Sequence, residues 1–402
     1  MAKKKKKEFK TKAGSKDTIE EISKELIKEI NSEVGDKIAY TLGEEDSPTD
    51  IKDFISTGSK LLDYAIANKK NGGVPVGRIT EILGEESTGK SLLALEILKN
   101  TQKRGGIGIL LDTESATSPE LLEMLGVDLK SFIYAQPDHI EGVFDTIEKI
   151  IKKMHLSGKD RPVTIVWDSV AGTPTKAELE GEADDQFMAV AAKVIAQNLR
   201  RITQLVGSEK TTIVFTNQLK TKLGVLFGDG LIGYGGKSIP YHSSVRIKLT
   251  RDGKVTGEKG KDDVIGVGVR GKCIKNKVAI PFQTAAFSIL FNIGVEEGEQ
   301  ILDKLVAADS LRYAINDKMC DIKFKAAAWS TMIAIDEDGN EVIKESFRKS
   351  AFADKVVTKY EPMIADLLDF VCVRKLGNAA EMDIDVNSTV EVEALAQDIL
   401  EG

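Results

Sequence analysis

The residues GEESTGKS, Gly84 to Ser91, have the spacing of a phosphate clamp: glycine, four residues, then glycine, lysine and a hydroxyl side chain. Through Glu85, Glu86, Ser87, Thr88 and Gly89 the backbone can curl so that its N–H groups face a phosphate. A helix starting there adds the positive end of its dipole. Lys90 can reach β- and γ-phosphates, and the Ser91 hydroxyl can ligate Mg²⁺. RITEIL before the clamp reads as a buried strand and SLLALEILKN after it as a helix, the context this motif needs.

Carboxylates and amides at strand ends come next. VTIVWDS is an apolar strand ending in Asp168 and Ser169, which puts an acid at a sheet edge where a Mg²⁺ partner belongs. GILLDTES ends another strand with Asp112 and Glu114. Either acid can orient and deprotonate an attacking water, and spacing alone does not choose between them. TTIVFTNQ ends a third with Gln218 and runs straight into LKTKLGVLFGDGLIGYGGKS. A flexible surface hairpin would explain the glycines of that segment but not Leu223, Val225, Leu226 and Phe227 together.

These groups need a scaffold. From about Ile51 to Asp303 short apolar runs alternate with helical stretches, which predicts βαβ units, an α/β fold with a mostly parallel sheet flanked by helices. SSVRIKLT, RGKCIKNKVAI and AAFSILF predict added antiparallel strands. Upstream, residues 1–17 form a basic tail, and 18–50 hold one helix and a linker. Ile19, Ile22, Leu26 and Ile30 make an apolar stripe on that helix, which either folds back on its own core or docks onto another subunit. Residues 304–380 read as a small mixed domain with helices around SAFADKVVTKYEPMIADLLDFV, and 381–402 as an acidic mobile tail.

Of the 402 residues, 42% are hydrophobic and 30% charged, as in ordinary globular chains, and no apolar run approaches the roughly 20 residues of a membrane span. A formal charge of −7 excludes a general polyanion binder, so any nucleic-acid contact needs local basic surface. Cys273, Cys320 and Cys372 lie far apart and the three histidines form no cluster. Neither a disulfide framework nor a zinc site is expected, and a reducing cytoplasm is.

GEESTGKS, DTES, WDSVAGTPTKAELEGE and TNQLKTKLGVLFG together resemble the RecA family of homologous recombinases, over about Thr18 to Ser350. The resemblance implies a RecA-like ATPase core at 51–303 with ATP and Mg²⁺ as cofactors, Glu114 as catalytic acid and Gln218 as sensor of the γ-phosphate. Lys275 and Lys277 would reach the ATP of an adjacent protomer, and the N-terminal helix would strap protomers into a filament. From the residues alone, those two lysines are an exposed strand face.

For DNA, the resemblance points to Lys220, Lys222, Leu223, Val225, Phe227, Gly235 and Gly236 beyond Gln218. It also points to Met188, Lys193 and Arg200 in EGEADDQFMAVAAKVIAQNLRR, where an isolated helix would suggest only a solvated basic face. The implied function is a cytoplasmic, ATP-dependent recombinase that coats single-stranded DNA and exchanges strands with a homologous duplex. Single-strand-binding and loader proteins would be further partners.

Two departures matter. The family's adenine-stacking tyrosine falls on Leu121 and a second aromatic near the base on Gly298, which loosens the expected base selectivity. The insert-like IANKKNGGVPVGR and the distinct C-terminus point to a diverged, bacteriophage-encoded member. The same clamp also serves a hexameric helicase-type motor, or a non-hydrolysing DNA-coating scaffold. The segment after Gln218, the lysine pair and the N-terminal helix favour the filament; intact Lys90, Ser91, Asp168 and Glu114 favour hydrolysis.

Overall fold

A computed structural model of the chain describes residues 19–35, 38–41, 51–157, 161–181, 187–208, 210–221, 231–257, 263–308 and 310–374. Helix α1 (Ile19–Val34) buries none of its residues. A short ladder of β1 (Phe54–Ile55) and β2 (Val74–Pro75) brackets α2 (Lys60–Ala67), whose N-terminus is capped by Ser59. Asn68, in the left-handed region at φ 52°, ends α2 and opens the insert-like turn.

The apolar runs then form the sheet. They are β3 (Ile79–Gly84), β4 (Ile107–Asp112), β5 (Phe132–Ala135), β6 (Val163–Asp168) and β7 (Thr211–Thr221). Between them run α3 (Lys90–Lys103), α4 (Pro119–Met124), α5 (Ile140–Ser157), α6 (Lys176–Leu179) and α7 (Phe187–Ser208). After β8 (Leu231–Gly233) and α8 (Ser238–His242) come β9 (Val245–Thr256), β10 (Val264–Asn276), β11 (Thr284–Leu290) and β12 (Gly294–Glu296).

The strand order is β12-β11-β10-β9-β3-β7-β6-β4-β5, with β8 beside β7. Strands β9 through β5 run parallel, while β10, β11 and β12 are added antiparallel. The chain therefore has a large, mostly parallel sheet flanked by helices, with a small N-terminal helix and a C-terminal sheet. No helix among the described residues is long and apolar enough to cross a membrane.

Alternation across the central strands feeds two apolar layers. On one face, Trp167 is fully buried between Phe144 and Phe215, both edge-on at 5.5 Å, and its indole N–H donates to Thr173. On the other face, α2 and α3 pack with Ile82, Val214 and Phe287.

The second layer continues into the C-terminal part, made of α9 (Gly298–Val306), β13 (Arg312–Ile315), β14 (Lys318–Lys325), β15 (Trp329–Asp336), β16 (Glu341–Arg348) and α10 (Glu361–Cys372). The division expected near residue 303 falls inside α9. The four strands form an antiparallel meander, where the sequence reading gave only a mixed segment with helices. The basic and acidic tails lie outside the described residues.

Candidate nucleotide site and the strand beyond it

Strand β3 is buried along its whole length and delivers Gly84 to the sheet edge. A side chain at Gly84 would collide with the Leu249 carbonyl and the Thr88 hydroxyl, both 2.7 Å from an ideal Cβ. Gly89, at φ 85°, turns the loop into α3. Lys90 is only 9% exposed, and its ammonium donates to the Glu85 carbonyl at 2.7 Å. Burial lowers its pKa, while the charges of Asp168, Glu114 and Glu86 oppose that shift. The clamp thus holds a largely desolvated cation against the Glu85 carbonyl at a helix start, suited to a polyanion.

Asp168 ends β6 within hydrogen-bond reach of the Ser91 and Thr216 hydroxyls. Burial raises its pKa, those hydroxyls lower it, and Glu114 and Asp112 add to the rise. One carboxylate and hydroxyl oxygens form a hard donor set that fits Mg²⁺, which takes few protein ligands and completes its shell with phosphate and water. No group of three His, Cys, Asp or Glu able to hold a metal ion occurs among the described residues.

Asp112 and Glu114 have different surroundings. Asp112 is buried and accepts from the Glu114 N–H at 3.0 Å, the Thr117 N–H at 3.1 Å and the Tyr134 hydroxyl at 3.1 Å. That carboxylate braces its own turn. Glu114 is exposed and takes a short hydrogen bond from the Ser169 hydroxyl. Gly172 lies beneath it, and an ideal Cβ there would stand 2.8 Å from the carboxylate.

Beyond the clamp, a cavity of about 460 Å³ is bordered by Lys90, Ser91, Arg251, Lys254, Val267 and Phe291. Arg251 also donates to the Ser87 carbonyl at 3.2 Å. Phe291, 47% exposed, is the aromatic bordering this cavity. Gly298 is buried at the start of α9, where an ideal Cβ would stand 2.9 Å from Ala353, so no aromatic fits there. Leu121 packs half-buried on the apolar layer from α4. Sequence reading missed Phe291, Arg251 and Lys254 because sheet pairing brings them to the clamp from far along the chain, Arg251 and Lys254 on β9 and Phe291 just past β11.

Gln218 pairs with Gly84 in the parallel β3–β7 ladder. Past it, β7 continues into an antiparallel stem with β8, pairing Leu219 with Gly233 and Thr221 with Leu231. Lys222, Leu223, Val225 and Phe227 lie outside the described residues; Lys220 is placed by its backbone alone. Gly235, at φ 87°, closes the stem against Ile195 of α7, and Gly236 follows it against Ala192. On α7, Ala191, Ile195, Leu199 and Ile202 face the core, and Lys193 and Arg200 are exposed; Met188 is placed by its backbone.

A second charged set lies at the other end of β3. Glu81, fully buried, pairs with Arg246 at 2.5 Å and accepts from the Asn217 amide at 2.9 Å. That amide also donates to the Tyr234 carbonyl. Lys275 is paired across the ladder with Arg246, and its ammonium donates to the Pro240 and Tyr241 carbonyls at 2.5 and 3.1 Å. Burial, then Lys277 and Arg246, bring its pKa down to about 8. Lys277 is exposed, and His242 nearby is kept below its usual pKa by burial and by Arg200, Lys277 and Lys275.

A clamp at the edge of a mostly parallel sheet, with Asp168 on a neighbouring strand, defines a P-loop nucleotide-binding protein of the RecA-like class. The RecA N-terminal domain family model matches residues 21–296. Protein RecA of Fusobacterium nucleatum is 38% identical over 299 residues, covering 74% of this chain and 75% of that protein. Protein RecA of Mycoplasma mycoides subsp. mycoides is 34% identical over 336 residues, 82% of this chain and 90% of its own length. Protein RecA of Saccharopolyspora erythraea is 34% identical over 353 residues, 88% and 91%. The chain belongs to the RecA family, as a recombinase of that kind.

Proposed function

We propose that this protein is an ATP-dependent recombinase that forms filaments on single-stranded DNA, pairs it with a homologous duplex and exchanges strands. The ladder position of Gln218 carries this reading: its backbone pairs with the first glycine of the clamp, at the base of the β7–β8 stem. A group there can sense a terminal phosphate and change the stem that follows.

Bound ATP with Mg²⁺ supplies the transferable phosphoryl group. Lys90 and the loop N–H groups of residues 85–89 would hold its phosphates, and Ser91 and Asp168 would be the metal's protein ligands. Glu114, oriented by Ser169, takes the proton from the attacking water. Phe291 offers a face to the base in the position that Leu121 and Gly298 do not fill.

Lys275 and Lys277 act on a neighbour's ATP. In the ladder Lys275 stands level with Arg246 and Glu81, about 10 Å along β3 from Gly84, which puts its own clamp out of comfortable reach. The exposed stripe on α1, with Leu26 51% and Ile30 42% exposed, suits a neighbouring protomer. DNA binds the segment between β7 and β8 together with Met188, Lys193 and Arg200 of α7. Single-strand-binding and loader proteins and a cytoplasmic setting complete the proposal.

Strand exchange between circular single strands and linear duplex, compared with ATP, dATP and GTP, tests the activity. Electron microscopy with a non-hydrolysable ATP analogue tests the assembly. Helical filaments on single strands are expected, and closed rings would replace this reading with a hexameric motor.

A further inference from the structure

The meander β13–β16 has one face in the core and one in solvent. Cys320, Ile322, Met332, Ala334 and Phe347 point inward and are buried. The ladders set the other face: Lys323, Ile333 and Lys344 lie side by side, as do Lys325, Thr331 and Ser346, and Trp329 stands opposite Arg348. Trp329 is 64% exposed, an unusual place for an indole on a strand. Lys323, Lys325 and Arg348 are exposed and form no ion pair among the described residues. Lys344 is held by Glu341, and the acid Asp321 is met by Arg312 at the far end of the sheet. The tryptophan end therefore carries uncompensated positive charge on a chain whose formal charge is −7.

A solvent-facing indole among unpaired cations on one face of a sheet combines the two features that bind unpaired bases: a stacking platform and charges that track phosphates. Neighbouring strands are about 4.8 Å apart and alternate residues about 7 Å, so the cations surround the ring within the span of a few nucleotides. A duplex keeps its base faces stacked internally and offers the indole nothing comparable. We propose that the outward face of β14–β16 is a separate binding surface for single-stranded nucleic acid. It lies apart from the segment beyond Gln218 and stands whether or not the chain exchanges strands.

The chain has two tryptophans, and Trp167 is fully buried, so quenching by a stacked base reports on Trp329. The full protein without nucleotide is titrated with an oligothymidylate of about 10 nucleotides while indole emission is followed. Saturable quenching is expected, lost in Trp329→Phe. In Lys323→Gln/Lys325→Gln/Arg348→Gln the isotherm should move at least about tenfold to higher concentration. Its log–log salt slope should fall by about 2, the share of three phosphate contacts to a single strand. DNA-independent ATP hydrolysis should be unchanged in both variants, which reports an intact fold. Emission that stays constant while anisotropy shows the oligonucleotide bound would overturn the proposal. So would an unmoved isotherm in the triple variant. Equal quenching by a duplex of the same length would overturn the assignment to single strands.

Discussion

Gln218 and Gly84 share one rung of the parallel ladder between β7 and β3, so the backbone that carries the amide and the first residue of the phosphate loop are held side by side. From Gln218 the same strand continues into the stem with β8.

If that rung couples nucleotide to DNA, Gln218→Ala should bind a labelled single strand equally with ADP and with a non-hydrolysable ATP analogue. The unaltered protein should prefer the triphosphate. Fluorescence anisotropy measures both, and a preference retained in the variant would remove the amide from the coupling.

The exposed carboxylate of Glu114 lies near buried Lys90 and Asp168 and is the proposed proton acceptor, whereas Asp112 is engaged with three donors. Glu114→Gln should slow phosphate release by about 10²–10⁴-fold with little change in nucleotide affinity. Equilibrium binding and single-turnover hydrolysis separate the two effects. A rate within a few-fold of the parent would exclude Glu114 as the base.

Lys275 has a pKa held down to about 8, so it is charged below that pH and neutral above it. If its charge stabilises the transferring phosphoryl group, kcat/KM of DNA-stimulated hydrolysis should fall as pH rises through about 8. Lys275→Arg keeps its charge at every pH tested and should lose that limb. Lys275→Ala should abolish DNA-stimulated turnover while leaving nucleotide binding largely intact. The same alkaline limb in parent and arginine variant would assign it to another group.

The Glu81–Arg246 pair is shielded from solvent, with Glu81 fully buried and the Arg246 side chain 17% exposed. Arg246→Met leaves the carboxylate with only the Asn217 amide and should cost about 3–5 kcal/mol in urea unfolding. Glu81→Leu combined with Arg246→Met should recover part of that loss, because no uncompensated charge remains. A single variant as stable as the parent would show that water reaches the site.

Leu26 sits mid-stripe on α1, half exposed, with no residue of that helix buried. Leu26→Asp should leave nucleotide binding intact and reduce filament length and cooperativity on single strands. Sedimentation and electron microscopy read both, and full-length filaments would rule out α1 as the strap.

Local sequence determined much of this protein. The clamp is a short contiguous motif whose turn into α3 is made by its own Gly89 at the helix start. RITEIL, GIGILLD, VTIVWDS and TTIVFTN became β3, β4, β6 and β7, adjacent strands at the centre of the sheet, because continuous apolar runs fit only where both faces are covered. Tertiary structure decided the rest. Which surroundings Asp112 and Glu114 acquire depends on the Tyr134 and Ser169 hydroxyls, which arrive from other strands to donate to one and the other. Phe291 reaches the cavity beyond the clamp and Glu81 acquires Arg246 only through pairing between distant segments, and Trp329 lines up with Arg348 through the register of the β15–β16 hairpin. Side-chain period fixes which residues share a face of one strand; which strand lies beside it is set by long-range pairing that no local pattern encodes.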